Sequence, residues 1–115
     1  MFIVGLQEMV DLDVIGSVMC NKDSERVSSW ESIFKNGLEK RIEGQKFTCM
    51  MRKVMFGCLI LFYVREDSKN AIKRMYTSKV KTGAGGMAAN KGSTSIRFNY
   101  EDTSFMFLNC HLTSG

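Results

Sequence analysis

Apolar and polar positions change period several times along the chain, and each change marks an element. Phe2–Leu6 is a short apolar run with β-branched residues, the pattern of a buried strand, and it opens directly into Gln7 and Glu8. Asp11–Asn21 is mixed and predicts a loop. From Ser24 to Glu43 the apolar residues fall at Val27, Trp30, Ile33, Phe34, Leu38 and Ile42, a helical spacing. Ser28-Ser29-Trp30-Glu31 fits a capping box, so the helix is expected to start at Ser24 or Ser28, with Gly44 as its stop.

Beyond Gly44 the period shortens. Lys46–Arg52 and Cys58–Val64 read as two strands around a tight connection at Met55–Gly57. Cys58–Val64 is apolar on both faces, which places it centrally in a sheet. Arg65–Arg74 is charged and fits a short helical turn, and Tyr76–Thr82 alternates as a strand into a glycine-rich loop. Ser93–Asn99 sets Thr94, Ile96 and Phe98 against Ser93, Ser95 and Arg97, and a turn at Asn99–Thr103 leads into Ser104–Cys110 as a hairpin. About six strands and one long helix predict a mostly antiparallel sheet with a helix packed on it, a mixed α/β arrangement. The second face of such a sheet needs a cover, and the pattern offers little to build one.

Composition narrows the class. A chain of 115 residues is at most one domain, and 44% hydrophobic residues can fill its core. The longest apolar block, Val54–Val64, is interrupted by Gly57 and too short to span a bilayer. The apolar start has no basic leader and no small-residue cleavage site, so no signal peptide is expected. Cys20, Cys49, Cys58 and Cys110 are scattered without a C-x-x-C pair, the pattern of buried reduced thiols rather than a zinc site. The net charge of +4 is a mild bias toward anionic partners.

Two stretches carry candidate chemistry. Lys81–Gly92 (KTGAGGMAANKG) is a glycine-rich loop closing on Asn90-Lys91-Gly92, where open backbone and a compact positive charge suit a phosphate. Gly83–Ala88 fits a dinucleotide fingerprint on paper, but a strand rather than a helix follows it, and the Walker pattern fails at Asn90 and Gly92. His111, the one histidine of the chain, ends a strand two residues after Asn109 and on the same face. Glu8 ends another apolar strand, where a carboxylate is poorly solvated unless paired or bound to a hard cation. Taken alone, the histidine fits a structural role and Glu8 an ordinary rim salt bridge.

Their order is more specific. A strand ending in Gly5–Glu8, a helix with Trp30, then Thr82-Gly83, Gly85-Gly86, Asn90-Lys91-Gly92 and Asn109–Leu112 together closely resemble the inositol polyphosphate 5-phosphatase family, synaptojanin-like members included. The resemblance implies a DNase I-like two-sheet β-sandwich flanked by helices, with residues 1–115 a partial catalytic domain lacking the first strand and the C-terminal segments. It implies Mg²⁺-dependent hydrolysis of the 5-phosphate of a phosphoinositide lipid or soluble inositol polyphosphate. Glu8 would be the metal ligand, His111 and Asn109 catalytic, and Asn90 and Lys91 phosphate-binding. Met87, at the loop tip, would face the membrane.

A cytoplasmic location peripheral to membranes is expected, with no nucleic-acid partner. The family usually has glycine where this chain has Ala89, and its later G-D-L-N-x-R and S-D-H-x-P segments, which supply the residues that activate water, are not in this sequence. The 115 residues are therefore expected to be inactive and poorly stable alone. The alternative is a non-catalytic relative that binds anionic lipid or a protein partner.

Overall fold

The computed structural model describes residues 1–9 and 19–113, so the loop expected over Asp11–Asn21 lies for the most part outside the described residues. Three strands, β1 (Phe2–Leu6), β2 (Phe47–Met55) and β3 (Cys58–Arg65), form one antiparallel sheet in the order β1-β3-β2. Three more, β4 (Ile72–Gly83), β5 (Ala88–Tyr100) and β6 (Thr103–His111), form a second in the order β4-β5-β6. One long helix, α1 (Met19–Arg41), packs on the outside of the first sheet.

Strand β3 organises the layers because it is apolar on both faces. Ile60, Phe62 and Val64 turn toward the second sheet and meet Ile72, Ile96 and Phe98, with Phe62 stacked on Phe98 at 4.1 Å between ring centres. Leu59, Leu61 and Tyr63 turn the other way and meet Val27, Trp30, Phe34 and Leu38 of the helix. The Tyr63 hydroxyl donates to the Glu31 carbonyl at 2.8 Å, and Arg52 pairs with Glu31 at 2.9 Å, so polar contacts fix the register of the helix on the sheet. The central position expected for Cys58–Val64 holds.

A single sheet is not what forms. Between β3 and β4 the chain makes a 3₁₀ turn over Glu66–Ala71, whose Glu66 N–H donates to the Lys46 carbonyl at 2.9 Å. That turn breaks the ladder, and the chain crosses to a new layer instead of pairing β4 beside β3. The second layer that strand patterning alone does not show is the product of this crossing, and the two-sheet sandwich implied by the family resemblance is the one observed.

Three smaller expectations are corrected. The helix begins at Met19, upstream of both Ser24 and Ser28, and no glycine or proline between them interrupts it. Ser29 is interior and donates back to the Glu25 carbonyl at 2.9 Å, the local bond an interior serine makes in place of a cap. Among the described residues strand β1 pairs with β3 alone and so lies at the edge of its sheet; Phe2 and Gly5 are exposed and the strand is half covered rather than buried. Asn90-Lys91-Gly92 does not close a loop but lies inside β5, and the glycine-rich stretch shrinks to a hairpin tip with Gly85 and Gly86 at φ 67° and 93°.

Candidate active site

The residues singled out from the sequence meet at one end of the sandwich. Glu8 lies two residues past the end of β1, His111 is the last residue of β6, and Asn90 and Lys91 sit near the start of β5. Glu8 Oε1 lies 3.4 Å from His111 Nε2, and Lys91 Nζ lies 2.8 Å from the same nitrogen. The imidazole is mostly covered, at 14% exposure, whereas the Glu8 carboxylate is 72% exposed. One ring nitrogen cannot serve both neighbours in one protonation state. Unprotonated it accepts from the Lys91 ammonium; protonated it donates to the Glu8 carboxylate. The same atom is thereby placed to hand a hydrogen bond to a third group, such as a phosphate oxygen, entering between them.

Backbone geometry at the site is demanding. Glu8 lies in the left-handed region at φ 54°, and the next residue is held by Met9 N–H donating to the Gly57 carbonyl at 3.1 Å. Gly92 lies at φ 144°, and a Cβ there would fall 2.0 Å from the Val80 carbonyl oxygen and 2.9 Å from Met55 Cε. The glycine of Asn90-Lys91-Gly92 is thus required by close backbone approach, which seats Lys91 against His111. The side chain of Ala89 is outside the described residues.

Asn109 is buried, its Nδ2 donating to the Leu6 carbonyl at 2.7 Å and the Leu59 carbonyl at 3.0 Å. Gln7 Nε2 donates to Asn109 Oδ1 at 3.4 Å and to the Cys110 carbonyl. Gln7 carried no assigned role in the sequence reading. Its signal was available, since it sits beside Glu8, but its partners include a backbone carbonyl that no residue pattern exposes.

The donor set suits a hard cation in part. Glu8 offers an open carboxylate, and Asn90 Oδ1 is a buried oxygen with no hydrogen-bond partner among the described residues. No group of three His, Cys, Asp or Glu side chains that could enclose a metal occurs among the described residues. One carboxylate, with substrate oxygens and water completing the shell, is the arrangement Mg²⁺ favours over an all-protein cage.

Two of the thiols, Cys49 and Cys58, are poor nucleophiles in this setting. Burial pushes the Cys58 thiol up, against the opposing pull of the Lys91 charge. Cys49 is raised to about 11, mainly by burial. Both fit the expected inert thiols; Cys110 does not, because its place on β6 turns it outward and leaves it exposed.

Glu8, Lys91 and His111 thus gather at the strand ends of a two-sheet sandwich, and comparison with known proteins supplies the family. All 115 residues match the model of Endonuclease/Exonuclease/phosphatase family 2, and the chain belongs to that family. Its relatives are inositol polyphosphate 5-phosphatases. The chain is 39% identical to polyphosphatidylinositol phosphatase INP53 of Saccharomyces cerevisiae over 113 residues, which is 98% of this chain and 10% of that protein. It is 31% identical to human synaptojanin-2 over 114 residues, 99% of this chain and 7% of that protein. The solved inositol polyphosphate 5-phosphatase domain of a synaptojanin, in complex with inositol (1,4)-bisphosphate and calcium ion, superposes with a TM-score of 0.78 at 31% identity, covering 98% of this chain and 31% of the solved one. The chain therefore spans a small part of the length of these relatives.

Proposed function

We propose that this chain contributes the Glu8, Lys91 and His111 part of an active site that removes the 5-phosphate from a phosphoinositide or soluble inositol polyphosphate with the help of Mg²⁺. The observation that carries this reading is the convergence of two charged groups far apart in sequence, Glu8 and Lys91, on one nitrogen of the His111 imidazole. Glu8 would hold the cation, which would supply polarisation of the phosphoryl oxygens and offset the charge that builds up as water displaces the inositol oxygen. Lys91 and the Asn90 amide hold phosphate oxygens and orient the ester. His111 Nε2 donates to the scissile phosphate, a bond that strengthens as negative charge grows in the transition state.

The hairpin tip supports an interfacial setting. Met87 is 86% exposed at the end of the β4–β5 hairpin, and an apolar side chain projected there can enter a lipid surface while the site works on headgroups. The enzyme is read as cytoplasmic and peripheral to membranes, acting on inositol phosphates and not on nucleic acid. The 115 residues by themselves are proposed not to turn over substrate, because the water-activating segments of the family are not among them.

The test is a substrate panel of phosphoinositide vesicles, soluble inositol polyphosphates and duplex DNA, run with and without Mg²⁺ on the longest product that carries this sequence. Phosphate release from 5-phosphorylated inositides, lost in Glu8→Gln and His111→Ala, is the expected result. DNA cleavage, or turnover indifferent to both substitutions, overturns the reading. Vesicle binding that survives both substitutions without any turnover favours the non-catalytic module.

A further inference from the structure

The sequence reading grouped Asn109 with His111 as catalytic, yet its polar atoms are engaged by the protein. Nδ2 is held by two carbonyls, Leu6 at the end of β1 and Leu59 near the start of β3. Oδ1 accepts from Gln7, whose amide also reaches the Cys110 carbonyl. Two acceptors fix which way the Asn109 amide points, and the residue is 8% exposed. Nothing on it is left to touch a phosphate.

These bonds run between layers. Gln7, Leu6 and Leu59 belong to the first sheet or its continuation; Asn109 and Cys110 belong to β6 of the second. Strands β1 and β6 share no ladder, so side-chain amides do at this end what backbone pairing does within each sheet. Gly5 leaves room for the arrangement, since a Cβ there would lie 3.2 Å from Asn109 Cγ and 3.3 Å from its Oδ1. Gln7 immediately precedes Glu8, and Asn109 lies two residues before His111. Play in this bridge passes directly into the 3.4 Å separation of carboxylate and imidazole.

We propose that Gln7 and Asn109 form an inter-sheet clamp and act as positioning residues, setting the distance between Glu8 and His111 without touching substrate. The kinetic arm of its test rests on the phosphatase reading above; the clamp itself does not.

The experiment compares Gln7→Ala, Gln7→Met (which keeps the length but not the donor) and Asn109→Asp with the parent, in the longest product carrying this sequence. Measured are kcat, KM, Tm and the NMR signals of the His111 imidazole, assigned by their loss in His111→Gln. The Gln7 variants are expected to lose about tenfold to a hundredfold in kcat, with KM within about twofold, since supporting groups of this kind carry effects of that size. Melting temperature stays within a few degrees, and the imidazole signals move. Asn109→Asp sets an oxygen against two carbonyls and loses activity despite its matched shape, unless it fails to fold, in which case the Gln7 pair decides.

Parent-like kcat and parent-like imidazole signals in both Gln7 variants overturn the clamp. So does a loss of rate that merely tracks the unfolded fraction. If the parent turns over no inositol phosphate, the phosphatase reading fails by itself. The imidazole signals then decide the clamp alone: movement in both Gln7 variants supports it, and no movement overturns it.

Discussion

Glu8 is held at φ 54°, a backbone state that costs an ordinary residue about 1 kcal/mol and that asparagine tolerates better. Replacing it therefore has opposite effects on fold and chemistry. Glu8→Asn should leave Tm equal to or above the parent's while ending turnover, as checked by thermal denaturation beside a phosphate-release assay. Gly92 is the converse case. With a backbone oxygen 2.0 Å from any added Cβ, Gly92→Ala should cost more than about 2 kcal/mol in denaturant unfolding, because both the conformation and the space refuse it. At Met87 the exposed tip predicts that Met87→Asp weakens binding to phosphoinositide vesicles while hydrolysis of a soluble inositol polyphosphate is unaffected, measured by sedimentation and phosphate release. Legibility at this scale was uneven. Residue types named Glu8, Lys91 and His111, because a lone imidazole and a fixed charge in a specific order are rare. The roles of Gln7 and Asn109 were hidden, because their partners are main-chain carbonyls brought in by tertiary structure.

Helix α1 is anchored to β2 partly through Glu39, which accepts the Phe47 N–H at 3.0 Å and pairs with Lys35 at 3.1 Å. The Phe47 bond, and then Lys35, hold its carboxyl below the usual carboxylate value. A carboxylate lowered on folding contributes stability above its unfolded pKa and loses it as pH falls through the folded one. The helix–strand junction should thus loosen on acidification below about pH 4.5. Glu39→Gln should flatten that part of the pH–stability profile, followed by circular dichroism. Strand assignments from the sequence succeeded where alternation or two-sided apolarity was clean, as in β3 and the β5–β6 hairpin. The helix start was misread because Ser28-Ser29-Trp30-Glu31 has the letters of a cap, while the stretch from Met19 to Val27 before it has no glycine or proline to interrupt the helix. Letters of a cap make a cap only where the helix stops.

Across the molecule, the largest difference between pattern and structure is the crossing at Glu66–Ala71, which turns one expected sheet into two. A charged run signals a turn but not whether the following strand rejoins the same ladder, so layer number was visible only through family resemblance. The second sheet also presents an outer face on which Tyr76, Val80, Met106 and Leu108 are each more than half exposed. The solved synaptojanin domain is about three times as long as the matched region, since 98% of this chain covers 31% of that one. The 115 residues produced alone should accordingly bind a hydrophobic dye and elute as a concentration-dependent mixture on size exclusion. Sharp monomeric elution with no dye binding would contradict this.

The stacked rings of Phe62 and Phe98 join the two sheets. Since the acid rides on one sheet and the imidazole and ammonium on the other, a slip of one strand residue, about 3.3 Å, would part them completely. On the proposed function, turnover would be a gauge of shear: a slackened aromatic interlayer would silence the chemistry at temperatures where secondary structure still looks whole.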